Sequence, residues 1–121
     1  MAYTTEDKVL HRAKLQKSDV HANAETATAI ISECITDAEA EINLVTSKPS
    51  GWSESNSYYA SIQAAATNLT ASYLCKQEGL AIAIGQASRE ALEQRSKELY
   101  SRAMAILDKL KKKLFIATSE E

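Results

Sequence analysis

From Asn23 to Val45 the chain reads NAETATAIISECITDAEAEINLV, and its apolar residues recur at steps of three and four. Ala27, Ile31, Cys34/Ile35, Ala38, Ile42 and Val45 fall on one side of a 3.6-residue period, while Glu33, Asp37, Glu39 and Glu41 take the other. The segment is therefore an amphipathic helix. Before it, Lys17–Asn23 reads as a polar connector with two candidate N-caps, Ser18 and Asn23. Earlier still, Thr4-Thr5-Glu6-Asp7 predicts the start of a short helix over about residues 5–15. There Thr4 caps the backbone N–H three residues on and Asp7 reaches back, a capping box with Asp in place of Glu. Val9, Leu10 and Ala13 form its apolar stripe; Glu6 and Asp7 at one end, and Arg12 and Lys14 at the other, suit the helix dipole.

Downstream, TSKPSGWSESNS (residues 46–57) ends the amphipathic helix with the only proline, a glycine and five serines. Tyr59, Ile62, Ala66, Leu69 and Tyr73 then restart the helical period over about 57–77. Small residues at Ala60, Ala64, Ala65, Ala66 and Ala71 let this helix approach a neighbour closely, and Gly79 suits a left-handed C-cap. Leu80-Ala-Ile-Ala-Ile84 alternates large and small apolar residues, as a short strand or extended loop would. Ser88 is expected to cap a last helix to about residue 115, with Leu92, Arg95/Ser96, Leu99, Ala103, Ile106/Leu107, Leu110 and Leu114 along its core stripe. At 1.5 Å per residue that helix is roughly 40 Å long, more than a bundle of this size covers. Its basic end, LDKLKKKLF, then projects or packs on something else.

The expected fold is all-α: a small four-helix bundle with a long C-terminal helix and a short extended segment near residues 80–85. One core should hold Ile31, Ile35, Ile42, Ile62, Leu69, Leu99, Ala103 and Ile106. A length of 121 residues suits a single domain over 1–121, with 117–121 as a flexible tail. Apolar residues at 45% and charged residues at 25% exclude wholesale disorder, and three glycines with one proline argue against an all-β fold.

The net charge of −2 implies no general affinity for nucleic acid, but its distribution is uneven. Residues 1–88 carry six basic and ten acidic side chains, a net of −4; residues 89–113 carry eight and four, a net of +4; Glu120 and Glu121 add −2. This polarity suits head-to-tail docking of like subunits, although a solvated helix of mixed charge would look the same. Cys34 and Cys75 lack a CxxC partner or ligand-spaced histidine and read as buried thiols of a reducing compartment. The start MAYTTEDK has no signal-peptide character and no apolar run approaches ~20 residues, so a cytosolic protein without membrane spans is expected.

Residues that carry chemistry are sparse. His11 and His21 have no convergent ligands and read as surface histidines, and no metal or cofactor site is expected. No nucleophile elbow or phosphate-cradling GxxxxGK motif is present. Glu33, Asp37 and Glu41 stand at i, i+4 and i+8 on one helical face, which serves a cation, a basic partner or simply solvent. Trp52, the only tryptophan, either folds back over the core end or anchors in an intersubunit pocket. Lys111, Lys112 and Lys113 fan around their helix with no interleaved aromatic, which favours a diffuse charge over base stacking.

The order of parts carries a resemblance. A short capped helix follows YTTED, an amphipathic helix contains DAEAEI, and a variable Pro/Gly/Trp loop comes next. Then follow the alanine-rich IQAAATNLTASYL, an apolar crossing with IAIG, and a long closing helix with SRAMAILDKL. Residues 3–45 and 62–107 resemble the head–tail adaptor (head-completion, connector) proteins of tailed bacteriophages, small helical subunits that ring the portal. The family's loop after the second helix is longer and often more aromatic; TSKPSGWSESNS fills that place here.

The resemblance implies a virion protein of the neck, assembled in the host cytoplasm. It implies a homo-oligomeric ring, commonly of twelve subunits, between the portal and a downstream neck or tail-completion protein. It also implies a central DNA channel and no catalysis. The family fixes no contact residues by motif. In that frame Leu110, Leu114 and Phe115 would fill a groove on the portal or adjacent subunit, with Lys109, Lys111, Lys112 and Lys113 meeting acidic neighbours or channel DNA. Alternatively, Leu110 and Leu114 only finish the intramolecular core. Leu80, Ile82 and Ile84 would pack on the bundle or pair with a neighbouring subunit. The other class of function compatible with these residues is a cytosolic helical interaction module, an assembly chaperone or regulator.

Overall fold

The computed structural model describes residues 2–77 and 86–119, and every regular element among them is a helix. These are α1 (Glu6–Ala13), α2 (Lys17–Val20), α3 (Ala24–Val45), α4 (Tyr59–Cys75) and α5 (Gln86–Ser119). The all-α bundle with a long last helix agrees with the sequence. The expected extended segment, with Gly79, Leu80, Ile82 and Ile84, lies outside the described residues. Helix α5 continues through Ser119, into the stretch expected as a tail, and starts at Gln86, so Ser88 lies inside it and is not its cap.

Local chemistry sets the boundaries. Thr5, not Thr4, caps α1: its Oγ1 accepts from the Lys8 N–H at 3.4 Å. Thr4 is instead buried, its hydroxyl 2.7 Å from that of Thr67 on α4. Helix α1 ends at Lys14 in the left-handed region (φ 60°), where the Leu15 N–H bonds the Leu10 carbonyl at 3.0 Å. The polar connector contains the short helix α2, which the sequence did not suggest; the Asp19 carboxylate accepts from the Gln16 N–H at 2.9 Å, and Val20 is buried. Asn23 caps α3 as expected, its Oδ1 accepting from the Thr26 N–H at 2.9 Å.

Helix α4 is the axis of the molecule, with α5, α3 and α1 all packed on it. Burial divides into two clusters where one was expected. One gathers Tyr3, Ile42, Trp52, Ile62, Leu69, Leu107 and Leu110; the other gathers Val9, Ile31, Cys34, Leu74, Leu92 and Leu99. Between them α4 buries Thr67, Asn68 and Ser72. Ser72 Oγ donates to the Ser96 carbonyl at 2.8 Å, and Ser96 Oγ returns a bond to the Ser72 carbonyl at 2.9 Å. Such a reciprocal pair forms only where small side chains let two helix backbones approach closely. Ile35 and Ile106, expected in the core, are half-buried at its edge. On α5 the seam runs through Leu99, Ala103, Leu107 and Leu110, at steps of four, four and three, which turns Ile106 outward by about 100°.

Candidate functional site

The basic residues of α5 do not all fan out. Arg95, Arg102 and Lys109 are spaced by seven, with Lys113 four beyond, so they share one flank beside the core seam. Helix α1 brings further cations to the same flank. Arg12 Nη1 donates to Asn68 Oδ1 of α4 at 2.7 Å, and Arg95 Nη1 donates to the Ala13 carbonyl at the end of α1 at 2.8 Å. Both guanidinium groups are thereby oriented while keeping further N–H donors free. Between α1 and α5 lies a cleft of about 340 Å³ lined by Arg12, Lys14, Arg95 and Arg102, with Glu98 its one carboxylate. Among the described residues none of these four cations forms an ion pair; the pair found there is Lys17 with Glu6, at 3.4 Å. The basic face continues past Lys8, His11 and Ala64 to a smaller notch lined by Tyr58, Ser61, Ile106, Lys109 and Lys113.

The opposite side is acidic. Glu33 and Asp37 are exposed on α3, Glu41 is half-exposed, and Leu44 continues the stripe at 76% exposure. This stripe belongs to the Tyr73 side of α4. Burial pushes the Tyr73 hydroxyl pKa above its ordinary value, and Glu41, Tyr100 and Asp37 push it the same way. Ala64, on the basic face, precedes Tyr73 by nine residues, or two and a half turns, so the two faces lie on opposite sides of α4.

The structure brings together only some of the residues singled out from sequence. Lys109, Lys111, Lys112 and Lys113 are exposed near the end of α5. Leu110 is not an exposed anchor: it is 3% exposed and belongs to the core, and Leu114 packs half-buried against the same cluster. The stripe that looked like a docking surface is the continuation of the α4–α5 seam. Phe115 is described in its backbone only.

Trp52 is likewise no exposed anchor. It is 7% exposed, its indole N–H donates to Thr46 Oγ1 at 3.0 Å, its backbone N–H donates to the Tyr3 hydroxyl at 2.8 Å, and Lys48 Nζ lies 5.1 Å from its ring centre. Arg12, Lys14, Arg95 and Arg102 were missed as a site. The seven-residue spacing on α5 was legible, but the approach of α1 was not.

Both histidines are on the surface, and His21 Nδ1 accepts from the Asn23 N–H at 2.9 Å. Among the described residues no group of three or more His, Cys, Asp or Glu is placed to hold a metal, and no helix is long and apolar enough to cross a membrane. The arrangement sets cations, two of them held by hydrogen bonds, on one face and exposed carboxylates on the other. No protein-family model, curated protein or solved structure matches the chain.

Proposed function

We propose that this chain is a structural subunit of a tailed-phage virion, a head–tail adaptor that forms a ring between the portal and the next neck or tail protein and surrounds the DNA channel. One observation carries the self-assembly part of this reading: cations and carboxylates with no ion pair among the described residues occupy opposite sides of α4. Unlike faces that complement each other make a head-to-tail contact, which closes into a ring when the rotation between copies permits. The resemblance supplies the phage context, the twelvefold ring and the absence of catalysis. Lys109, Lys111, Lys112 and Lys113, clustered at one end of the longest helix, are the residues for the portal or channel DNA, where their charge acts without base recognition.

The test is light scattering and electron microscopy of the purified chain with and without a portal ring. A complex of adaptor rings on portals is the expected result. A monomer or dimer that ignores the portal rejects the proposal and favours the second reading, a helical module whose exposed basic end of α5 serves one protein partner.

A further inference from the structure

Four cations converge on the α1–α5 cleft with only Glu98 among them, and two of them are held by bonds to Asn68 and the Ala13 carbonyl. Such a cleft asks for an anionic occupant of fixed geometry. Along the same flank of α5, four residues beyond Arg102, Ile106 lines a notch of about 170 Å³ with Tyr58 and Leu110, and Ser61, Lys109 and Lys113 complete its lining. An occupant that matches both offers carboxylates or phosphates followed by an apolar group for Ile106, Tyr58 and Leu110. A phosphate backbone would use Lys109 and Lys113 but has no side chain to fill the space beside Ile106. The outer face of α3 has one: Glu33, Asp37 and Glu41 lead to Leu44, a leucine 76% exposed beside Ala40 and Pro49. Spacing agrees as well. Eleven residues, roughly 16 Å of helix, separate Glu33 from Leu44, and eleven separate Arg95 from Ile106.

We infer that the partner of the cleft is a second copy of this chain, whose α3 lies parallel to α5. Glu33 then meets Arg95 and Lys14, Asp37 and Glu41 flank Arg102, and Leu44 enters the notch beside Ile106. The inference rests on the self-assembling part of the proposed function and gives it a register. Because the two faces lie on opposite sides of α4, each copy donates α3 to one neighbour and receives α3 from the other. The charges set the approach and register, while the burial of Leu44 supplies apolar contact.

Reversal of exposed charges tests this without touching the core. Glu33→Lys with Asp37→Lys makes one variant, and Lys14→Glu with Arg102→Glu the other; circular dichroism verifies that both keep the wild-type helicity. At low ionic strength the wild type should scatter above its 13.2 kDa monomer mass. Each variant alone should remain monomeric, and an equimolar mixture should reassociate. Leu44→Ser should weaken association roughly tenfold or more.

A wild type that stays monomeric at its highest soluble concentration, a variant that assembles unaided, or a mixture that stays apart overturns the inference. So does a cleft variant that loses only duplex-DNA binding while assembly is unchanged, since the cleft is then a nucleic-acid site. The two proposals fail separately. Assembly that obeys the charge swap but never joins a portal removes the adaptor function alone; portal joining that either reversed variant performs normally removes only this interface.

Discussion

Replacing Tyr3 by Phe deletes one oxygen atom and loosens three segments together. The Tyr3 hydroxyl donates to Asn43 Oδ1 of α3 at 2.6 Å and accepts from the Trp52 N–H at 2.8 Å. The ring itself stacks edge-on against Tyr59, 5.9 Å between centres, and Phe keeps that contact. The loss is therefore confined to hydrogen bonding. Asn43 is half-buried and regains water, so its bond is worth about 0.5–1.5 kcal/mol, whereas the buried Trp52 N–H is left without an acceptor at about 1–3 kcal/mol. Tyr3→Phe should destabilise by roughly 1.5–4.5 kcal/mol.

Gly51 gives an independent check on the same oxygen. It adopts φ 89°, and a Cβ built there would stand 2.9 Å from the Tyr3 hydroxyl. Gly51→Ala therefore meets backbone strain of about 1–2 kcal/mol and a steric clash with that oxygen. In the Tyr3→Phe background only the strain remains, so the double variant should lose less than the sum of the two, by on the order of 1 kcal/mol. Urea unfolding, followed by the fluorescence of the single tryptophan and by far-UV circular dichroism, measures all four proteins. A Tyr3→Phe loss below about 0.5 kcal/mol, or strict additivity of the pair, would refute the proposed role of this hydroxyl.

The remaining predictions address the core, the thiols and the cleft. Leu107→Ala, at a fully buried site, should lower stability by about 2–5 kcal/mol in urea titration. Ending the chain after Ile106 removes both Leu107 and Leu110 and should unfold it, whereas ending it after Leu114 should leave a cooperative transition by circular dichroism. Burial first, then Asp37 and Glu33, pushes the Cys34 pKa up to about 11; burial also brings Cys75 to about 11. Both pKa values are raised in the fold, so this contribution to stability is intact below about pH 9 and is lost as pH climbs towards 11. The urea midpoint should fall over that window, and Cys34→Ala with Cys75→Ala should flatten the fall. Lys14→Gly relieves a left-handed lysine and should stabilise the monomer by up to about 1 kcal/mol, while removing one cation from the cleft, which should weaken assembly and lower its salt sensitivity.

Local periodicity was enough to establish the helices and most of their inward faces. Ala27, Ile31, Cys34, Ala38 and Ile42 are buried where the 3.6-residue repeat of α3 puts them, because a lone stripe on a regular helix has one way to leave water. Asn23 as a cap was legible for a similar reason, since a cap bonds within its own turn. Interactions between distant segments were not legible. Thr67, Asn68 and Ser72 are polar, yet they are buried because Thr4, Arg12 and Ser96 arrive from other elements to satisfy them. The choice between Ile106 and Leu107 depended on how α5 rolls against α4, and Trp52 turned inward because Tyr3 and Thr46 receive its two N–H groups. The candidate site shows the same division. The alternating charge of the two halves of the chain is linear information. Only the packing of α1 and α5 on the same helix α4 brings Arg12 and Lys14 to Arg95 and Arg102, because convergence of side chains is set by three-dimensional contact, which a one-dimensional repeat does not encode.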